Sequence, residues 1–160
     1  MAMTGITDRV SGGRGMPRIY LAGPLFCEAE LRYNREMKEY LAGCGFDLVL
    51  PQEESADLDL AGLMSSDRAV PTATEVCRRD LETLDSCDAL LINLDGRVPD
   101  EGACVELGYA YSKGKPVFGI KTDVRTAEYG IDNMMIVGVL EGKTARSPEE
   151  LVLMLREADL

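Results

Sequence analysis

The run Asp100-Glu101-Gly102-Ala103-Cys104-Val105-Glu106-Leu107-Gly108-Tyr109-Ala110 sets a carboxylate, Glu106, among small and apolar neighbours. It lies between two apolar runs, Ala89-Leu90-Leu91-Ile92-Asn93-Leu94 and Pro116-Val117-Phe118-Gly119-Ile120. Each of these reads as a buried parallel strand. The order strand, polar loop, helix, strand puts Glu106 in the first turns of a helix that begins where a strand ends. Two readings are open. A first-turn Glu in its ionised form complements the helix dipole and does no more than stabilise its helix. Alternatively, ligands bind at the carboxyl ends of the strands in open α/β sheets, and an ionised carboxylate there is a nucleophile or a base.

Composition narrows the chemistry further. The chain has no histidine, which removes Ser-His and Cys-His nucleophile pairs and every His-ligated metal site. Acid–base work falls to carboxylates, Tyr, Lys or Cys. The five cysteines (Cys27, Cys44, Cys77, Cys87, Cys104) show no C-x-x-C spacing and read as reduced thiols packed as small hydrophobes in a cytoplasmic protein. Lys+Arg 17 against Asp+Glu 28 gives a net charge of -11. Such a balance argues against a nucleic-acid polymer or an anionic membrane as partner. No run approaches a membrane span, and Met1 to Gly15 contain no apolar signal core. Gly23-Pro24-Leu25-Phe26 is neither G-x-G-x-x-G nor a P-loop, so neither a dinucleotide nor a P-loop reading has support.

The elements that must position these groups follow from pattern. At 160 residues and 46% apolar composition, the chain reads as a flexible lead-in (residues 1–16) and one domain (17–160). Arg18 to Gly23 is the first strand, Glu28 to Ala42 a helix and Phe46 to Leu50 the second strand. Residues 52 to 71 are acidic and irregular, with a short helix near Leu60 to Met64. A loop of this length is functional or mobile. Thr72 or Thr74 caps a helix running to about Leu84, and Thr72 with Glu75 fits a capping box. Ala89 to Leu94 is the third strand, Ala103 to Ser112 a helix and Pro116 to Lys121 the fourth strand. The apolar Met134 to Leu140 is expected as a fifth strand. Ser147-Pro148-Glu149-Glu150 starts the last helix, with Ser as cap and Pro in the first position. Strands alternating with helices imply a parallel sheet covered on both faces.

Several further residues have two readings each. Tyr20, inside the first strand, is a core tyrosine or a site group. Asp80 is a helix-surface partner of Arg78 or Arg79, or an acid in a cleft. Asp100 caps its helix or faces a ligand. Asn133 is a turn residue or a ligand contact.

Taken together, Ile19-Tyr20-Leu21-Ala22-Gly23-Pro24, then Asp80, then Asp100-x-Gly102-x-x-x-Glu106-x-Gly108, then Asn133 after Gly130 resemble the nucleoside 2-deoxyribosyltransferase family, from about Arg18 to Met135. The resemblance implies an α/β fold, a single-domain flavodoxin-like doubly wound sandwich with a mostly parallel five-stranded sheet. It implies transfer of 2'-deoxyribose from a 2'-deoxynucleoside to a free nucleobase, with no cofactor. Glu106 matches the nucleophile of a covalent deoxyribosyl-enzyme intermediate, Tyr20 the tyrosine that positions it, and Asp80 the acidic residue facing base or sugar. Asp100 matches a contact near the 5'-hydroxyl. Asn133 matches a residue contributed by a neighbouring subunit, so a homo-oligomer of two or more subunits with a shared site is expected. Gly23 and Gly102 are expected beside the substrate, with Ala22 or Gly23 as an apolar wall against the deoxy carbon, and Gln52 at the base. Carboxylate capture of an oxocarbenium-like sugar, with release and retention, agrees with this residue set. The alternative within the fold is a 2'-deoxynucleoside 5'-monophosphate N-hydrolase. Those relatives carry Ser where this chain has Asp100, and an Asp repels a phosphate. A non-catalytic nucleotide-binding module is a further alternative.

Overall fold

The structure, a computed structural model, describes residues 15–54, 61 and 64–160. Most of the lead-in and much of the 52–71 loop, including most of the short helix expected near Leu60 to Met64, lie outside the described residues. Five parallel strands form one sheet: β1 (Arg18–Ala22), β2 (Asp47–Val49), β3 (Ala89–Asn93), β4 (Val117–Ile120) and β5 (Thr144–Ala145), in the order β2-β1-β3-β4-β5. The helices are α1 (Glu28–Gly43), the one-turn α2 (Pro51–Glu54), α3 (Ala69–Asp85), α4 (Glu101–Ser112), α5 (Met134–Leu140) and α6 (Pro148–Glu157). No helix among the described residues is long and apolar enough to cross a membrane.

The period-two alternation of each strand sorts its side chains between two cores. Ile19, Leu21, Leu48, Leu91 and Phe118 pack with Met37 and Leu41 of α1 and with Leu151 and Leu155 of α6. On the opposite face Tyr20, Ala22, Leu90 and Ile92 pack with Leu84, Leu107, Ala110, Ile136 and Leu140, which come from α3, α4 and α5. Burying each Leu or Ile of this kind contributes about 1.5–3 kcal/mol. The alternation therefore aims Tyr20 at the face covered by α4.

The chain leaves β1 toward β2 on one side, while β3 pairs with β1 on the other. The crevice between the carboxyl ends of β1 and β3 is thus the topological switch point, where ligands bind in such sheets. Gly23 stands at this crevice. A Cβ on Gly23 would lie 2.9 Å from Asn93 Cβ, so only glycine lets the β1 exit pass the end of β3 this closely.

Two elements differ from the sequence expectation. Met134 to Leu140 is the helix α5, and the fifth place in the sheet is taken by Thr144–Ala145, paired Gly119↔Thr144 and Ile120↔Ala145. A seven-residue apolar run has no period that decides between strand and helix. Here Asn133 Oδ1 accepts from the Met135 N–H at 3.0 Å and caps a helix. Ile136 and Leu140, four residues apart, supply its buried face. The second difference is α3, which begins at Ala69, before Thr72. The capping box is not formed. Pro71 sits in the first helical turn, where its missing N–H costs nothing, and the Thr74 hydroxyl donates back to the Val70 carbonyl at 2.8 Å. The last helix follows expectation, with Ser147 Oγ accepting from the Glu150 N–H.

Candidate active site

Glu106 is the sixth residue of α4 and Tyr20 the third of β1. Tyr20 is fully buried, and its hydroxyl donates to Glu106 Oε1 at 2.6 Å. This bond crosses the α4 face of the sheet at the carboxyl end of β1. Glu106 then opens onto a cavity of about 330 Å³ between α3 and α4. Ala73, Val76, Cys77 and Leu81 of α3 and Gly102 and Val105 of α4 form its walls, and Asp80 is the second carboxylate within it. Two carboxylates converging in an apolar cleft are the kind of arrangement that divides acid and nucleophile roles by environment.

The electrostatics correct one expectation. A first-turn Glu held ionised by the helix dipole was anticipated. The Glu106 carboxyl is instead pushed up to about 7, chiefly by burial and then by the charges of Asp80 and Asp100, while the Tyr20 hydrogen bond pulls the other way. Glu106 stands in the second turn, where the dipole has faded, so loss of solvation decides. The Tyr20 hydroxyl is driven far above its ordinary range by the same burial and by the Glu106 charge. It therefore stays protonated and acts as a donor.

The other anticipated residues are placed as follows. Asp80 faces the cavity, and neither neighbouring arginine is idle. Arg78 binds Glu75 at 2.7 Å and also Glu82, and Arg79 meets Glu75 at 2.9 Å. Asp100 caps α4, its Oδ1 accepting from the Ala103 N–H at 2.8 Å, and its charge also raises the Glu106 carboxyl. Gly102 lines the cavity, and a Cβ there would lie 3.1 Å from Asp100 Oδ1. Gly23 sits at the neighbouring switch-point crevice.

Neither Asn133 nor Gln52 is in the lining of the Glu106 cavity. Asn133 lies beyond α4, in the lining of a larger apolar cavity of about 460 Å³ between α4 and α5. Gln52 is turned onto α1. Its Oε1 accepts from Asn34 Nδ2 at 2.9 Å, and its Nε2 lies 3.5 Å from the Leu31 carbonyl.

Sequence reasoning missed two contributors. Asn34, 2% exposed, donates to the Pro24 carbonyl at 3.2 Å and to Gln52, tying the β1–α1 loop to α2. Its signal is a polar residue on the otherwise apolar inner face of α1. The cavity wall of α3 was also missed. Ala73, Val76, Cys77, Asp80, Leu81 and Leu84 recur at helical spacing, yet Leu84 is the one buried residue of that helix among those described.

A family model described as nucleoside 2-deoxyribosyltransferase matches residues 19–142. A crystal structure of a conserved protein from Enterococcus faecalis V583 is similar, with TM-score 0.68 and 30% identity, covering 90% of this chain and 99% of that one. The 2-deoxyribosyltransferase of Bacillus psychrosaccharolyticus is similar with TM-score 0.67 and 25% identity, covering 84% of this chain and 90% of that one. An uncharacterised protein of Schizosaccharomyces pombe is 33% identical over 132 residues, which is 77% of this chain and 60% of that relative's length.

Proposed function

The chain belongs to the nucleoside 2-deoxyribosyltransferase family, and we propose that it transfers 2-deoxyribose from a 2'-deoxynucleoside to a free nucleobase through a covalent deoxyribosyl-Glu106 intermediate. The observation that carries this reading is the Tyr20–Glu106 hydrogen bond of 2.6 Å at the edge of a cavity that also holds Asp80.

In the first half-reaction Glu106 attacks C1' from the face opposite the base. The C1'–N bond breaks, and its electron pair leaves with the base. Asp80, as the acid, gives that nitrogen a proton. In the second half-reaction a ring nitrogen of the acceptor base attacks C1' and expels the Glu106 carboxylate, and Asp80 takes up the proton lost by the new base. Two inversions give net retention. Tyr20 holds one carboxylate oxygen, which leaves the other aimed at the sugar. A Glu106 carboxyl near 7 suits a group that must both capture and release, because a strongly acidic carboxylate would be a weak nucleophile.

Asp100 selects the donor. Its charge at the α4 cap favours a neutral 5'-hydroxyl over a 5'-phosphate. The active assembly is a homo-oligomer in which Asn133 completes a neighbour's site. Two observations support this. Tyr111 of α4 and Met134 and Met135 of α5 are more than half exposed, and Asn133 is not in the lining of its own chain's Glu106 cavity. Incubation with deoxyinosine and free adenine tests the reading. Formation of deoxyadenosine with release of hypoxanthine is expected. Release of hypoxanthine without exchange would make the protein a hydrolase.

A further inference from the structure

We propose that a second, cationic cavity at the carboxyl ends of β3 and β4 binds a phosphate group. This cavity, of about 160 Å³, is lined by Arg97, Lys121, Arg125 and Thr126, with Asp132 and Asn133 among the remaining walls. It shares no lining residue with the cavity that holds Glu106 and Asp80.

Three observations carry the proposal. The first is charge. In a chain with a net charge of -11, this lining places three cations against one carboxylate. The second is burial. Lys121 is 4% exposed and pairs with Asp132. An ammonium has three N–H donors, so one carboxylate contact leaves capacity for another oxyanion. The third is the fate of the nearby acids. Asp95 accepts from the Thr122 and Asp123 N–H groups at 2.6 and 2.7 Å and from the Thr122 hydroxyl at 2.7 Å. Its oxygens hold backbone and do not neutralise the arginines. Asp123, outside the lining, takes Arg125 through Nε at 2.9 Å and through Nη2, which leaves Arg125 its Nη1 donors, and Arg97 makes no ion pair among the described residues.

The Arg97 fork and the remaining Arg125 Nη1, beside a buried ammonium, match the paired oxygens and double charge of a phosphate better than a single carboxylate. The volume admits a phosphate group but is below that of pockets that enclose a whole nucleoside-sized ligand. Phosphate there bridges the β3–α4 loop to the segment carrying Asn133, so its occupancy orders that segment. The binding itself does not depend on the transferase reading.

The test is calorimetric titration of the full chain with inorganic phosphate, and separately with methyl phosphate, at constant ionic strength in chloride. Saturable binding of one phosphate per chain is expected. R97Q and R125Q, both on exposed side chains, should each weaken it by about tenfold, the range for losing a charge-assisted hydrogen bond. Glu106→Ala should leave it unchanged. Methyl phosphate binding as tightly assigns the cavity to phosphate esters, and binding by inorganic phosphate alone assigns it to the free ion. Absence of saturable heat with either probe, or the same affinity in the R97Q/R125Q double variant, would overturn the proposal.

Discussion

Replacing Tyr20 by Phe should move the pH dependence of exchange, with a slower reaction at neutral pH as the consequence. The Tyr20 hydroxyl donates to Glu106 Oε1 at 2.6 Å in a buried setting. A hydrogen bond to a charged group is worth about 1.5–3 kcal/mol. Here it favours the carboxylate, against burial and the charges of Asp80 and Asp100, which together bring Glu106 to about 7. Removing the donor should raise that value by roughly one to two units, since 1.36 kcal/mol corresponds to one unit. Near neutral pH the ionised fraction would then fall from about half to between roughly a tenth and a hundredth. The assay is kcat/KM for deoxyinosine with adenine as acceptor, from pH 5 to 10. In the wild type the acidic limb should bend near 7, and in the variant it should bend one to two units higher, with most activity recovered above that bend. Phe fills the same space without the hydroxyl, so the core should stay intact. An unshifted limb would refute the claim that Tyr20 sets the charge on Glu106, even if the plateau were lower.

The same raised carboxyl has a stability signature. Folding favours the protonated form of Glu106, so this group's contribution is fully present at low pH and is lost as pH rises through about 7. Glu106→Gln removes the ionisable group, and its melting temperature relative to wild type should rise between pH 5 and pH 8. A constant difference in calorimetry would show that burial does not control this carboxyl. Gly23→Ala should cost about 1–3 kcal/mol in denaturant unfolding, because the new methyl would meet Asn93 Cβ at 2.9 Å; an unchanged midpoint would mean the β1 exit is loosely packed. Asp100→Ser should raise the kcat/KM of deoxyadenosine 5'-monophosphate relative to deoxyadenosine. At about 4 Å and an effective dielectric near 20, each charge pair removed repels by up to roughly 4 kcal/mol before screening. A wild type that already prefers the monophosphate would replace the transferase reading with the hydrolase one.

The parts of the fold that were legible in the chain are those whose patterns have one solution. The run from Ala89 to Leu94 is apolar but for Asn93 and is bounded by polar turns, and only a strand buried on both faces fits it. Ser147-Pro148-Glu149-Glu150 carries cap, first-turn proline and acidic start together, and α6 begins there. Met134 to Leu140 was ambiguous, because Ile, Val and Met suit either element over seven residues, and the cap at Asn133 decided it. The pairing of Tyr20 with Glu106 was suggested only by resemblance. It needs β1 beside β3 and α4 across that face, which are contacts between residues 86 positions apart. The charge of Glu106 was misjudged for a related reason. Its position on a helix is local information, but the burial that raises its carboxyl comes from α3, β1 and α4 meeting. The contact between Gln52 and Asn34 was illegible for the same reason, since the two residues lie on different elements.

The central claim is that Glu106 becomes covalently bonded to the sugar. Mixing the protein with deoxyinosine in the absence of acceptor base, quenching in acid and measuring intact mass tests it most directly. The account predicts a species heavier by one deoxyribosyl group, mapped by peptide digestion to Glu106, discharged by added adenine and absent from Glu106→Ala. Steady exchange of bases with no such species, or a label on any other side chain, would contradict it.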